Sequence, residues 1–164
     1  MAYLGFFLSF LLLLVALHGS HAVEYIVKNW AETTPGGVRF DNELGIDYTK
    51  KIMVSATNFI WSLFQQRKKD DRRSVENVSL LVDDMEGISY AINNEIHVGD
   101  NYIRNITADI TWDFNGVLYH EMTHIWQWNG NNQAPRGLIE GIANFVRLKA
   151  NYAPPHWVQP GGGE

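Results

Sequence analysis

The 164-residue sequence has no cysteine, so no disulfide staples the chain, and core packing, with help from any bound metal, must hold it together. It also has no excess of positive charge. Thirteen Lys and Arg stand against 18 Asp and Glu, a formal net charge of -5, so no broad basic surface is available for nucleic acid or an anionic membrane. Length leaves room for one hydrophobic core and not for two. No internal repeat and no low-complexity block interrupts the sequence.

The first 22 residues contain no Asp, Glu, Lys or Arg, and their apolar run, about Leu4 to Leu17, is too short to cross a bilayer comfortably. Small residues at Ser20 and Ala22 follow, as at a signal-peptide cleavage site. The expectation is a secretory signal over residues 1–22, a single folded domain over residues 23–164, and no stable membrane association after cleavage. Two sequons, Asn77-Val-Ser79 and Asn105-Ile-Thr107, are available for glycosylation on that route.

Along the remaining chain, "VEYIVKNW" (Val23 to Trp30) alternates in the period of a strand, and "TTPGG" after it reads as a turn. "DYTKKIMVSATNFIWSLFQQ" reads as a long amphipathic helix, with Asp47 as its N-cap and Ile52, Ala56, Phe59, Ile60 and Phe64 on the buried face. "RKKDDRR" (Arg67 to Arg73) mixes charges of both signs and reads as a solvated loop. Three β-rich runs, "VSLLVDD", "ISYAI" and "EIHVG", are then expected to form a meander of adjacent strands. Two helices close the chain: "NGVLYHEMTHIWQW", stopped at Asn129-Gly130, and a second from about Gly137 to Asn151, which Pro154-Pro155 forbids from continuing.

The first of these helices carries His120, Glu121 and His124 in the pattern H-E-x-x-H. Histidines four apart share one helical face and can approach one zinc ion together, while Glu121, about 100° round the helix, can reach a water as general base. Zinc of this kind wants a third protein ligand and an open position. The arrangement H-E-x-x-H-x-x-G-x-x-H is excluded, because its last places here are Gln127 and Gly130. Glu140, near the start of the following helix, is the best candidate for the third ligand. His97 and His156 stand alone and are left outside the set.

"GVLYHEMTHIWQWNGNNQAPRGLIEGIANFVRLKA" resembles the plant basic secretory protein family, and the similarity extends back through "TPGGVRFDNELGIDYTKKIMVSATNFIWSLFQQ" and "VSLLVDDMEGISYAINNEIHVG". The resemblance implies an α+β, zincin-like (gluzincin-like) domain: a small, mostly antiparallel sheet packed on an amphipathic helix, with the HExxH helix followed by a glutamate-bearing helix. It implies a secreted, zinc-dependent peptidase-like protein of the apoplast, linked to defence, with peptide or protein as substrate. His120, His124 and Glu140 would lie on the metal and Glu121 would act as catalytic base. Three departures stand out. Asn144 replaces the family's usual aspartate, supplying a hydrogen bond but no negative charge. Family members continue for several dozen residues beyond "HWVQPG", so a C-terminal subdomain is expected to be missing, with Tyr152 and His156 only weak substitutes for its oxyanion-stabilising groups. The sequence pI of about 5.6 does not fit the word basic. A second reading follows: a catalytically weak or inactive secreted binding protein that keeps the peptidase fold. Extended substrate is expected to run along "NEIHVG".

Overall fold

Strand β1 (Glu24–Asn29) opens the domain, and the computed structural model describes residues 23–155 and 157. The expected signal over residues 1–22, and His156, lie outside the described residues. The "TTPGG" segment is a helix start rather than a turn. Thr34 Oγ1 accepts from the Gly37 amide at 3.0 Å, and Pro35 stands in the first helical turn, so α1 runs Pro35–Glu43. Its glycines are there for closeness: a Cβ on Gly36 would lie 1.9 Å from the Asp100 carbonyl oxygen, and one on Gly37 1.8 Å from that of Ala31.

Gly45, with φ +73°, breaks the chain direction and starts α2 (Gly45–Leu63). Asp47 therefore sits in the first turn, where a negative charge suits the helix dipole, and is not the N-cap. The buried stripe is also turned from the expected one. Thr49, Met53, Ala56, Thr57 and Ile60 are its centre, whereas Ile52, Phe59 and Phe64 pack only partly buried at its margins. Thr57 belongs inside because its hydroxyl has two partners, the Tyr25 hydroxyl at 2.8 Å and the Trp126 indole N–H at 3.1 Å.

The sheet is mixed. Its strands β2 (Asn77–Asp83), β3 (Ser89–Ile92) and β4 (Glu95–Gly99) take the order β1-β2-β4-β3, with β1/β2 and β2/β4 parallel and β3/β4 antiparallel. Neither a mostly antiparallel sheet nor a meander describes it. The cause is local. Asn93 and Asn94 both have positive φ, 49° and 65°, the two-residue geometry of a type I′ hairpin, which folds β4 back along β3. β4 then inserts beside β2, whose Val78, Leu80, Leu81 and Val82 are buried as in an interior strand, and leaves β3 at the edge. "NEIHVG" is thus interior and cannot accept a further strand. The edges are β1 and β3, and the edge that borders α4 is β3.

Asp100–Asn105 forms a short helix, α3, directly after β4. Asp109 then caps α4 (Ile110–Trp126), accepting from the Thr111 and Trp112 amides at 2.9 and 3.2 Å. This helix is buried over most of its surface, with Phe114, Leu118, Met122, Ile125 and Trp126 almost fully enclosed. Left-handed Gly130, Asn131 and Asn132 turn the chain so that α5 (Arg136–Lys149) lies back on α4. Arg147 fastens the two helices: its Nη2 donates to Asp113 at 3.2 Å and its Nε to the Tyr152 carbonyl at 2.9 Å, with Gly116 leaving the space for it. Asn77 and Asn105 are both exposed.

Candidate metal centre

The packing of α4 between β3 and α5 brings three elements to one place. His120 and His124, one turn apart, are the two positions where the buried middle of α4 opens, and α5 faces them with Glu140 and, one turn on, Asn144. His120 Nε2 lies 3.1 Å from His124 Nε2 and 3.2 Å from Glu140 Oε2, and His124 Nε2 is 3.6 Å from the same oxygen. Four ligands at about 2.0–2.1 Å from a tetrahedral zinc stand about 3.3 Å apart, so two imidazoles and a carboxylate at these separations fit one metal ion. These three residues form a group able to hold a metal, their ligand atoms all within 4.8 Å of one another.

The other ring nitrogens agree with that use. His120 Nδ1 donates to Asn144 Oδ1 at 3.0 Å, which leaves its Nε2 with a lone pair facing the cluster. His124 Nδ1 lies 2.7 Å from the Gln127 amide nitrogen, and Gln127 Oε1 is buried with no partner among the described residues. Turning that amide over places Oε1 on Nδ1–H, satisfies the orphaned oxygen and frees His124 Nε2 as well. Burial lowers the pKa of His120, against Glu140 and Asn144, which raise it. Burial and then the neighbouring His120 lower that of His124, against Glu140. Both shifts favour the neutral ring, the form that ligates.

Glu121 stands beside this group and outside it. It is 4% exposed, Ser89 Oγ on β3 donates to its Oε1 at 2.6 Å, and its Oε2 is buried without a partner among the described residues. Burial pushes the carboxyl up to about 7; the Ser89 hydrogen bond opposes this and the charge of Glu140 adds to it. A carboxyl poised there can both take and give a proton near neutral pH.

The model of the BSP family, described as a peptidase of plants and bacteria, matches residues 20–164. The chain belongs to this basic secretory protein family. No curated protein and no solved structure matches it.

In this basic secretory protein family member the structure brings His120, Glu121, His124 and Glu140 together, and leaves His97 apart. His97 Nδ1 is 2.5 Å from Asp83, and its ring stacks on Tyr90. Tyr152 turns its hydroxyl to the Asn115 amide and packs against Tyr119 and Trp112. Sequence reasoning missed Ser89, which no spacing rule ties to a residue 32 positions away. It placed Gln127 on the histidines' side of the helix and excluded it as a ligand but gave it no role toward His124, although a polar residue three places after a helical histidine was a signal that the ring had an acceptor.

The raised Glu121 value makes a prediction for the metal-free family member. Its folded-state pKa exceeds the ordinary 4.5, so its contribution to stability is fully present below pH 4.5 and is lost as pH rises through about 7. The two histidines act in the opposite sense: their lowered values contribute stability above pH 6.5 that is lost as pH falls through the folded values. Replacing Glu121 by glutamine removes only the first effect. Metal-free Glu121→Gln is therefore expected to be more stable than the parent at pH 8 by about 2–3 kcal/mol, with the gap closing toward pH 4.5. Denaturant unfolding across that range checks it, and a gap that ignores pH would contradict the buried-carboxyl account.

Proposed function

We propose that the protein is a secreted, zinc-dependent peptide hydrolase. The observation that carries the reading is the junction of a three-ligand cluster with a separate buried carboxylate: His120, His124 and Glu140 converge, and Glu121 stands next to them on the same helix with one oxygen held and one free. Zinc in a site of this donor set supplies a Lewis acid that polarises a peptide carbonyl and brings the pKa of water toward neutrality.

The chain's own groups do the rest. Glu121 takes a proton at Oε2 from the attacking water, while Ser89 keeps Oε1 fixed, and then delivers that proton to the leaving amine. Asn144 and Gln127 hold the imidazoles in orientation. The free edge of β3 offers unpaired backbone groups alongside α4, so an extended peptide adds there as a further strand.

Secretion is supported by the apolar run from Leu4 to Leu17 and by the family name, and a part in plant defence is what the family resemblance implies. Asn144 favours a second reading, a secreted binding protein with little turnover, because an amide orients His120 without adding the charge of a carboxylate.

The test is hydrolysis of an unstructured polypeptide by zinc-loaded protein. Turnover is expected to stop with a chelator and return when zinc is restored. Absence of cleavage by protein carrying one zinc per chain would leave the binding reading in its place.

A further inference from the structure

The charged stretch Arg67 to Arg73 does not stand free in solvent along its whole length. Arg73 Nη1 donates to the Ile125 carbonyl at 2.8 Å, on the last turn of α4. Arg72 Nε donates to the Gln66 carbonyl at 3.0 Å, and its guanidinium carbon lies 3.8 Å above the ring of Trp61, which packs edge-on against Trp126. The two arginines are thereby fixed on the wall of a cavity of about 560 Å³ that His124, Gln66 and Trp128 also line. A proposed metal ligand and two guanidinium groups share one chamber.

Charge is distributed unevenly to produce this. Five of the 13 basic residues, and only two of the 18 acidic ones, fall between Arg67 and Arg73, within a chain that is acidic as a whole. One acid, Asp71, also stands on the cavity wall, where its Oδ2 accepts from the Lys68 amide at 2.9 Å, so the two arginines outnumber it. Among the described residues, the Nη atoms of Arg72 have no hydrogen-bond partner, and Arg73 uses Nη1 alone. Gln66 Oε1 is buried on the same wall with no donor to it among the described residues. Planar guanidinium groups match a carboxylate in geometry as well as charge, and a concave setting concentrates their field. A peptide satisfies both needs at once, with a carboxylate for the arginines and an N–H for the amide oxygen.

We propose that this cavity is a specificity pocket that takes the carboxylate side chain of an aspartate or glutamate in a peptide substrate, with Arg72 and Arg73 selecting it. The assignment rests on the peptide-hydrolase reading above. It makes the substrate an acidic peptide, and it gives the Arg67 to Arg73 loop a task at the site.

The experiment uses the full zinc-loaded chain carrying Glu121→Gln, so that bound peptide is not consumed. Three fluorescein-labelled alanine-based peptides, differing only in a central Glu, Gln or Lys, are followed by fluorescence anisotropy. The Glu peptide is expected to bind about five- to tenfold more tightly than the Gln peptide, with Lys weaker still and the differences shrinking as salt is raised. Adding Arg73→Glu abolishes or reverses that order. Arg73→Lys keeps most of it, which separates charge from any loosening at Ile125. Equal affinity for the three peptides, or binding of none, overturns the pocket.

Hydrolysis of the same peptides by the chain with Glu121 intact is read in parallel. Cleavage without acid preference defeats the pocket and spares the hydrolase. Acid-selective binding with no cleavage does the reverse.

Discussion

Glu121→Gln is expected to leave zinc bound at one per chain and to lower kcat for peptide hydrolysis by about 10²–10⁴-fold. The two outcomes separate because Glu121 is outside the ligand cluster: His120, His124 and Glu140 make up the group, and Glu121 makes its one hydrogen bond to Ser89 on the other side. Glutamine fills the same volume and keeps an acceptor for the Ser89 hydroxyl, so the helix has no cause to shift. What it lacks is a basic oxygen at the position where Oε2 is buried and unpartnered. Elemental analysis and steady-state kinetics on one preparation read both quantities. Substantial turnover in the variant would remove Glu121 as the base, and loss of zinc would place it among the ligands.

Glu140→Ala carries the second large effect. Apparent zinc binding in sites with a full set of protein ligands is worth about 10–16 kcal/mol, so deleting one of three protein ligands is expected to weaken binding by about a hundred- to a thousandfold. Glu140 is also partly exposed, and its neighbour Arg136 approaches Oε1 only to 3.9 Å, so truncation leaves no buried charge stranded and little of the core disturbed. Thermal unfolding of the metal-free variant is accordingly expected to match the metal-free parent closely, while competition against a chromogenic chelator shows the lost affinity. Undiminished affinity in Glu140→Ala would mean that the third ligand is another residue.

These residues were legible because helical spacing fixes them with little help from the rest of the fold. His120 and His124 share a face by periodicity alone, and Glu140 follows on the next helix across a short turn. Ser89 was not legible, since its meeting with Glu121 depends on where β3 sits in the sheet. That placement was misread: three short β-rich runs in succession suggest a meander, and only the β2/β4 parallel pairing reveals that the hairpin folds inward and leaves β3 outermost. The helix α1 was hidden by its paired glycines, which resemble a turn until Asp100 and Ala31 are seen pressing against them. Thr34-Pro35 was the local signal that outweighed them. In α3, six residues are too few to show a period.

The parallel register of β1 on β2, with Glu24 opposite Asn77, also says something about how the chain reaches this structure. Both α1 and α2 intervene in sequence, so this pairing closes a long loop and meets its entropy before any strand contact returns it. Ser89, the histidines, Glu140 and Asn144 all come from the β3–β4 hairpin and from helices α4 and α5, a stretch whose contacts are nearer in sequence. On contact order alone, the pairing of the amino-terminal strand is expected to form after the contacts within the stretch that carries the chemical centre. A change in β1 is accordingly expected to slow folding more than it alters the site, whose residues all lie on other elements.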